Sequence, residues 1–157
     1  MEVLFSFLLA TLIIIWLCMT SVFLLALVLR DNSIVDIFYG LVYVVVAWDL
    51  IYLAEKLHPV QAILTFLITV WGVRLAARIG RKNWPPKSLF ERSGRAEDFR
   101  YAAWREAWSK KGKWYFVLRS YLQIFMLQGL VIFLVILPVV LVAAKGAFNV
   151  FEPLLYA

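Results

Sequence analysis

Residues 3–29, VLFSFLLATLIIIWLCMTSVFLLALVL, decide the class of this protein because they contain no charged side chain. These 27 residues would measure about 40 Å as an α-helix, more than the roughly 30 Å of bilayer hydrocarbon. A cleaved signal peptide is the alternative, but Glu2 stands where such peptides carry basic residues, and the apolar stretch is longer than theirs. We therefore interpret residues 3–29 as a first membrane span.

The composition of the whole chain agrees with a membrane location. Of its 157 residues, 64% are hydrophobic, and the mean hydropathy is +0.86, whereas soluble domains are about half apolar. A single cysteine, Cys18, and a single histidine, His58, exclude an intramolecular disulfide framework and a metal centre of several histidines. We expect one membrane domain over residues 1–157, with no metal site.

Three further apolar stretches follow, at about residues 34–54, 60–79 and 114–144, with Pro138 expected to kink or end the last one. The sequence therefore predicts an all-α, polytopic membrane bundle with four transmembrane helices. The polar loop 80–113 separates the third span from the fourth. Within it, Tyr101, Trp104 and Trp108 recur at helical spacing, which predicts a helix lying at the membrane interface.

The basic residues predict the orientation of the bundle. Thirteen of the sixteen lysines and arginines lie between Arg74 and Arg119, and cytoplasmic loops retain such residues. We expect loop 80–113 in the cytoplasm and the N-terminus on the opposite side. The basic loop and its aromatic residues favour contact with anionic membrane lipids over nucleic acid, because no nucleic-acid-binding module is present.

Charged side chains inside the predicted spans are candidates for function because burying them in lipid is costly. Asp36, Arg74, Arg78 and Arg119 all fall near the same end of their spans, and Gln123 lies one turn beyond Arg119. We expect Asp36 to pair with Arg74 or Arg78. Because the positive charges outnumber the negative one, this end of the bundle is predicted to bind an anion. In the alternative interpretation the arginines extend to lipid phosphates and Asp36 caps its helix.

Short motifs in three spans and in the loop resemble those of bacterial members of the steroid 5-alpha-reductase superfamily, in a branch described as an uncharacterised membrane domain. The motifs are Asn32-Ser33-Ile34-Val35-Asp36 with Gly40, Trp71-Gly72-Val73-Arg74-Leu75, Glu97-Asp98-Phe99-Arg100-Tyr101, and the stretch from Arg119 to Gln123 with Gln128-Gly129. The resemblance runs from about residue 32 to residue 138. It implies a location in a bacterial inner membrane.

The resemblance implies a larger helical bundle that reduces a double bond conjugated to a carbonyl, or a related lipid bond, with hydride from NADPH. In that family most cofactor-holding motifs belong to the C-terminal half. This chain therefore resembles the N-terminal membrane half of an NADPH-dependent lipid or enone reductase. The C-terminal half is then either a partner chain or the remainder of a longer protein from which this sequence was cut. Steroid specificity is not implied, because the second span lacks the Gln-Glu pair of steroid-reducing relatives.

The predicted basic end and the resemblance together indicate where NADPH would bind. The candidate cofactor residues are Arg74, Arg78, Arg100, Tyr101, Arg119 and Gln123, with Asp36 as their polar partner. No catalytic residue is assigned. The alternative function is that of a non-catalytic membrane subunit or a lipid-binding scaffold protein.

Overall fold

The structure, a computed structural model, describes residues 2–54, 58–83 and 97–146. Its helices are α1 (Glu2–Leu29), α2 (Ile34–Leu53), α3 (Pro59–Asn83), α4 (Phe99–Ser109), α5 (Lys113–Arg119) and α6 (Leu127–Gly146), with a π-helical segment (Ser120–Met126) between α5 and α6. None of the described residues lies in a β-strand. The predicted all-α class is confirmed.

Four helical stretches are long and apolar enough to cross a membrane, namely Glu2–Leu29, Ile34–Leu53, Pro59–Lys82 and Lys113–Lys145. The prediction of four membrane helices is confirmed, and the chain is a membrane protein. The third span is longer than predicted, because α3 continues to Asn83 into the polar segment. Residues 55–57 of the turn between the second and third spans, loop residues 84–96 and the tail 147–157 lie outside the described residues.

The fourth span differs from the sequence prediction in one respect. It contains the π-helical segment, whose wider turns are recognised from backbone hydrogen bonds rather than from sequence. Tyr121 in this segment contacts α1, because its hydroxyl accepts a hydrogen bond from Trp16 Nε1 at 3.1 Å and lies 3.1 Å from Thr20 Oγ1. Pro138 lies inside α6 and does not end it.

Two glycine contacts set how closely the helices approach. Gly40 on α2 faces Gly72 on α3, and the two backbones touch there because neither residue has a side chain. Gly129 of α6 lies against Ile15 and Met19 of α1. These contacts bring α2 close to α3 and α1 close to α6.

The outer faces of the spanning helices are apolar. Trp16 on α1 is 52% exposed and Phe66 on α3 is 66% exposed, whereas the buried core contains side chains such as Met19, Phe125 and Ile132. Large exposed apolar surfaces of this extent are what lipid tails cover in a membrane protein. Polar side chains are buried near the end that carries α4, such as Asn32 and Ser120, and also farther from it, such as Gln61 and Thr65 at the start of α3.

Candidate functional site at the α4 end of the bundle

Asp36 lies in the first turn of α2 and accepts hydrogen bonds from two other helices. Its Oδ1 accepts from the hydroxyl of Tyr101 on α4 at 2.7 Å and from Nε2 of Gln128 on α6 at 3.4 Å. Its Oδ2 accepts from Nη2 of Arg100 at 3.2 Å. The carboxylate of Asp36 is therefore held in one orientation from two sides.

The expected pairing of Asp36 with Arg74 or Arg78 is wrong. Among the described residues, the ion pair of Asp36 is with Arg100. Helix α4 returns to the end of the bundle and brings Arg100 to this carboxylate. Arg74 and Arg78 are exposed, because α3 presents the adjacent stripe of its surface to the bundle.

Asp98 begins α4 and positions Arg100. Its Oδ1 accepts the backbone N–H of Arg100 at 3.1 Å, which caps the helix, and the Nε of the same residue at 3.0 Å. This side-chain hydrogen bond lowers the pKa of Asp98 and raises the pKa of Arg100. The guanidinium of Arg100 thus lies between the carboxylates of Asp98 and Asp36.

Glu97 connects the segment before α4 to the turn between α1 and α2. Its Oε1 accepts the backbone N–H of Asn32 at 2.8 Å, and its two oxygens receive Arg105 in a bidentate ion pair at 2.7 and 2.8 Å. The hydrogen bond with Glu97 raises the pKa of Arg105. On the other side, Asn32 Nδ2 donates to Ser120 Oγ at 3.3 Å.

Two motifs that lie far apart in the sequence are therefore joined at both of their ends. Residues 32–36 meet residues 97–101 through Asn32 with Glu97 and through Asp36 with Arg100 and Tyr101. Both contacts combine a charged group with a hydrogen bond, the stronger kind in proteins. The positions of α2 and α4 relative to each other follow from these contacts.

A cleft of about 500 Å³ lies beside Asp36. Its polar rim is formed by Asp36, Asp98, Lys82 and Arg100. Leu75 and Ile79 of α3 and Val131 of α6 form an apolar wall, and Tyr39 of α2 and Gln128 also line it. The cleft offers hydrogen-bond donors and acceptors next to hydrocarbon, which suits a molecule with a polar end and an apolar body.

The charges of the described residues that line the cleft are balanced. Lys82 and Arg100 carry two positive charges, and Asp36 and Asp98 carry two negative charges. The surplus of positive charge that the sequence predicts therefore does not lie in this cleft. The described lining residues match a neutral polar group better than an anion.

The structure separates the six predicted cofactor residues into two groups. Arg100 lines the cleft, and the hydroxyl of Tyr101 donates a hydrogen bond to Asp36, which also lines it. The other four are exposed and do not line it; they are Arg74, Arg78, Arg119 and Gln123. Depth along each span was predicted, but the direction in which these side chains leave their helices was not.

Four polar residues that line the cleft were not predicted as site residues, namely Tyr39, Lys82, Asp98 and Gln128. The buried Oε1 of Gln128 has no hydrogen-bond partner among the described residues. A polar amide in an otherwise apolar span was the signal that could have marked it.

Comparison with known proteins identifies a family. The model of a family described as a protein of unknown function, DUF1295, matches residues 22–156. Neither a curated protein nor a solved structure matches the chain. The match covers the motifs that meet at Asp36 and all of the described residues that line the cleft. The chain therefore belongs to the DUF1295 family.

Proposed function

We propose that this chain is the N-terminal membrane part of an NADPH-dependent reductase acting on a lipid or an enone. DUF1295 is related to steroid 5-alpha-reductase-like proteins, and the motifs that carry this resemblance include residues 32–36 and 97–101. The observation that supports the proposal most is the meeting of these two motifs at Asp36, beside a cleft with an apolar wall.

The cleft is suited to bind the substrate of the proposed reaction. A carbonyl oxygen accepts hydrogen bonds, and Lys82 and Arg100 are donors at the rim. The hydrocarbon of an enone or lipid would lie against Leu75, Ile79 and Val131. In this proposal the chain binds and orients the polar end of the substrate.

The phosphates of NADPH do not fit the described lining of the cleft, because its two positive charges are already matched by two carboxylates. When bound, NADPH supplies the hydride of the reduction. We therefore expect the groups that hold its phosphates to come from a C-terminal-half partner chain. Arg74 and Arg78 are exposed and available to such a partner.

A non-catalytic lipid-binding scaffold is the second candidate function. The observation that favours it is the same balance of charge, which leaves the cleft suited to an uncharged amphipathic molecule such as a lipid. A scaffold of this kind needs the apolar wall and the polar rim, but no cofactor.

The experiment that separates the two functions is a titration with NADPH, with NADH as the control ligand. It is made on the purified chain and on the chain joined to a C-terminal half from a steroid 5-alpha-reductase-like protein. The reductase proposal expects NADPH to bind the joined protein and not the chain alone. Absence of binding to both proteins contradicts the reductase and leaves the scaffold.

A further inference from the structure

Lys111, Tyr115 and Arg119 form a basic cluster at the start of the fourth span, and none of them lines the cleft. Lys111 Nζ lies 5.2 Å from the centre of the Tyr115 ring, and Arg119 Cζ lies 5.8 Å from it. Arg119 Nε also donates a hydrogen bond to the Tyr115 hydroxyl at 3.2 Å. Two cations therefore share one aromatic side chain: Arg119 lies one turn after Tyr115 on α5, and Lys111 approaches the same ring from the turn before α5.

The positive charges of this cluster are not neutralised by neighbours in the part of the chain that the structure describes. Lys111 and Arg119 are exposed and form no ion pair there. Neighbouring Lys110, in contrast, is paired with Glu106 at 2.9 Å. Like charges held near one another are unfavourable unless an anion joins them.

The polar groups of the cluster are hydrogen-bond donors. The Tyr115 hydroxyl accepts from Arg119, so its own hydrogen is left to donate outward. The ammonium of Lys111 and the remaining N–H groups of Arg119 are donors as well. A phosphate accepts hydrogen bonds through several oxygens and carries negative charge, so it matches this set of groups.

The neighbouring side chains indicate the depth of the cluster in the membrane. Trp114 is 84% exposed and Leu118 is 59% exposed, at the point where the fourth span begins. Tryptophan is enriched where lipid headgroups meet the hydrocarbon. We propose that Lys111, Tyr115 and Arg119 bind the phosphate of an anionic ligand, with a lipid headgroup as the source favoured by this depth. This site is independent of the reductase proposal.

The test uses the purified full chain in detergent, titrated with dioctanoyl phosphatidylglycerol and read by native mass spectrometry. Lys111→Gln and Arg119→Gln are each expected to weaken binding by about fivefold to tenfold, because each removes a charge-assisted contact. Tyr115→Phe removes the hydroxyl alone and is expected to weaken binding less. Lys110→Gln removes the same charge one residue away and is expected to change binding by less than about twofold, since Lys110 is already paired.

Two results would overturn the site. One is an equal loss from Lys110→Gln and Lys111→Gln, which would indicate a diffuse effect of charge. The other is that dioctanoylglycerol, which has the same acyl chains but no phosphate, binds the chain as tightly as dioctanoyl phosphatidylglycerol does. Circular dichroism of each variant checks that its helices are intact.

Competition identifies the source of the phosphate. If NADPH and inorganic phosphate fail to displace the lipid, the headgroup is the ligand of this cluster. If NADPH displaces the lipid and its binding is weakened by the same two substitutions, the cluster binds phosphate of a soluble cofactor. Lipid binding that is unchanged in both Lys111→Gln and Arg119→Gln contradicts the proposal for either source.

Discussion

Tyr101 donates a 2.7 Å hydrogen bond to Asp36, although 65 positions separate the two residues in the sequence. Tyr101 is buried, so its hydroxyl needs a hydrogen-bond partner within the protein. Burial raises the pKa of Tyr101, and its hydrogen bond to Asp36 acts in the same direction. The pair fixes α4 to the first turn of α2 and thereby forms one side of the cleft.

Removing this hydrogen bond is expected to destabilise the bundle. Tyr101→Phe should lower the free energy of unfolding by about 1–3 kcal/mol, because the Oδ1 atom of Asp36 loses its shortest hydrogen bond and is partly buried. A double-mutant cycle of Tyr101→Phe with Asp36→Asn, followed by unfolding in detergent, should show coupling. The control cycle of Arg78→Gln with Asp36→Asn should show no coupling. Coupling in this cycle would support the pairing of Asp36 with Arg78 that the sequence predicts.

The Gly40–Gly72 contact gives a second prediction. A Cβ added at Gly40 would lie 2.7 Å from the carbonyl oxygen of Gly72, and one added at Gly72 would lie 2.5 Å from that of Gly40. Gly40→Ala and Gly72→Ala should each destabilise the protein by about 1–3 kcal/mol, because two backbones must separate.

Gly80 is the matched control for these substitutions. It also lies on α3, and a Cβ there would meet nothing within 4 Å. Gly80→Ala should leave stability unchanged or raise it slightly through helix propensity. Equal thermal unfolding midpoints for Gly72→Ala and Gly80→Ala would contradict the close contact.

The sequence predicted the spans well because a long run without charge has few structural interpretations. It also identified Asp36, Arg100 and Tyr101 as polar residues at one end of the bundle. It did not predict which arginine meets Asp36, since this depends on the direction in which a side chain leaves its helix. Arg74 and Leu75 are neighbours in sequence, yet only Leu75 lines the cleft. The return of α4 to the bundle likewise depends on tertiary contacts such as that of Glu97 with Asn32.

Glu97 is expected to hold α4 in place. Glu97→Gln should lose the bidentate ion pair with Arg105 while keeping an oxygen for the backbone of Asn32, at a cost of about 1–3 kcal/mol. The amide hydrogens of α4 should then exchange faster with deuterium. The control is Glu106→Gln on α4, because the exposed ion pair of Glu106 with Lys110 should contribute nothing measurable to stability. Equal exchange in the two variants would show that Glu97 does not anchor α4.

The orientation of the bundle is tested by cysteine labelling. Clustering of basic residues between Arg74 and Arg119 predicts that position 93 is cytoplasmic and position 57 is on the opposite side. Ser93→Cys and Leu57→Cys, each in a Cys18→Ala background, should therefore differ in how readily a reagent added outside intact cells labels them. A membrane-impermeant maleimide should label position 57 and not position 93. Labelling of position 93 from outside would reverse the orientation.

Asp98 gives the stability of α4 a dependence on pH. The hydrogen bond from Arg100 lowers the pKa of Asp98 in the folded protein, so the charged carboxylate is bound more favourably than in the unfolded chain. The resulting stabilisation is complete above the ordinary aspartate pKa of about 3.9 and is lost as the pH falls through the lowered value.

Asp98→Asn keeps a side-chain oxygen that can cap α4 but cannot titrate. The difference in unfolding midpoint between the wild type and Asp98→Asn should therefore be large at pH 7 and should shrink as the pH is lowered below about 4. A difference that stays constant over this range would mean that Arg100 does not stabilise the charged form of Asp98.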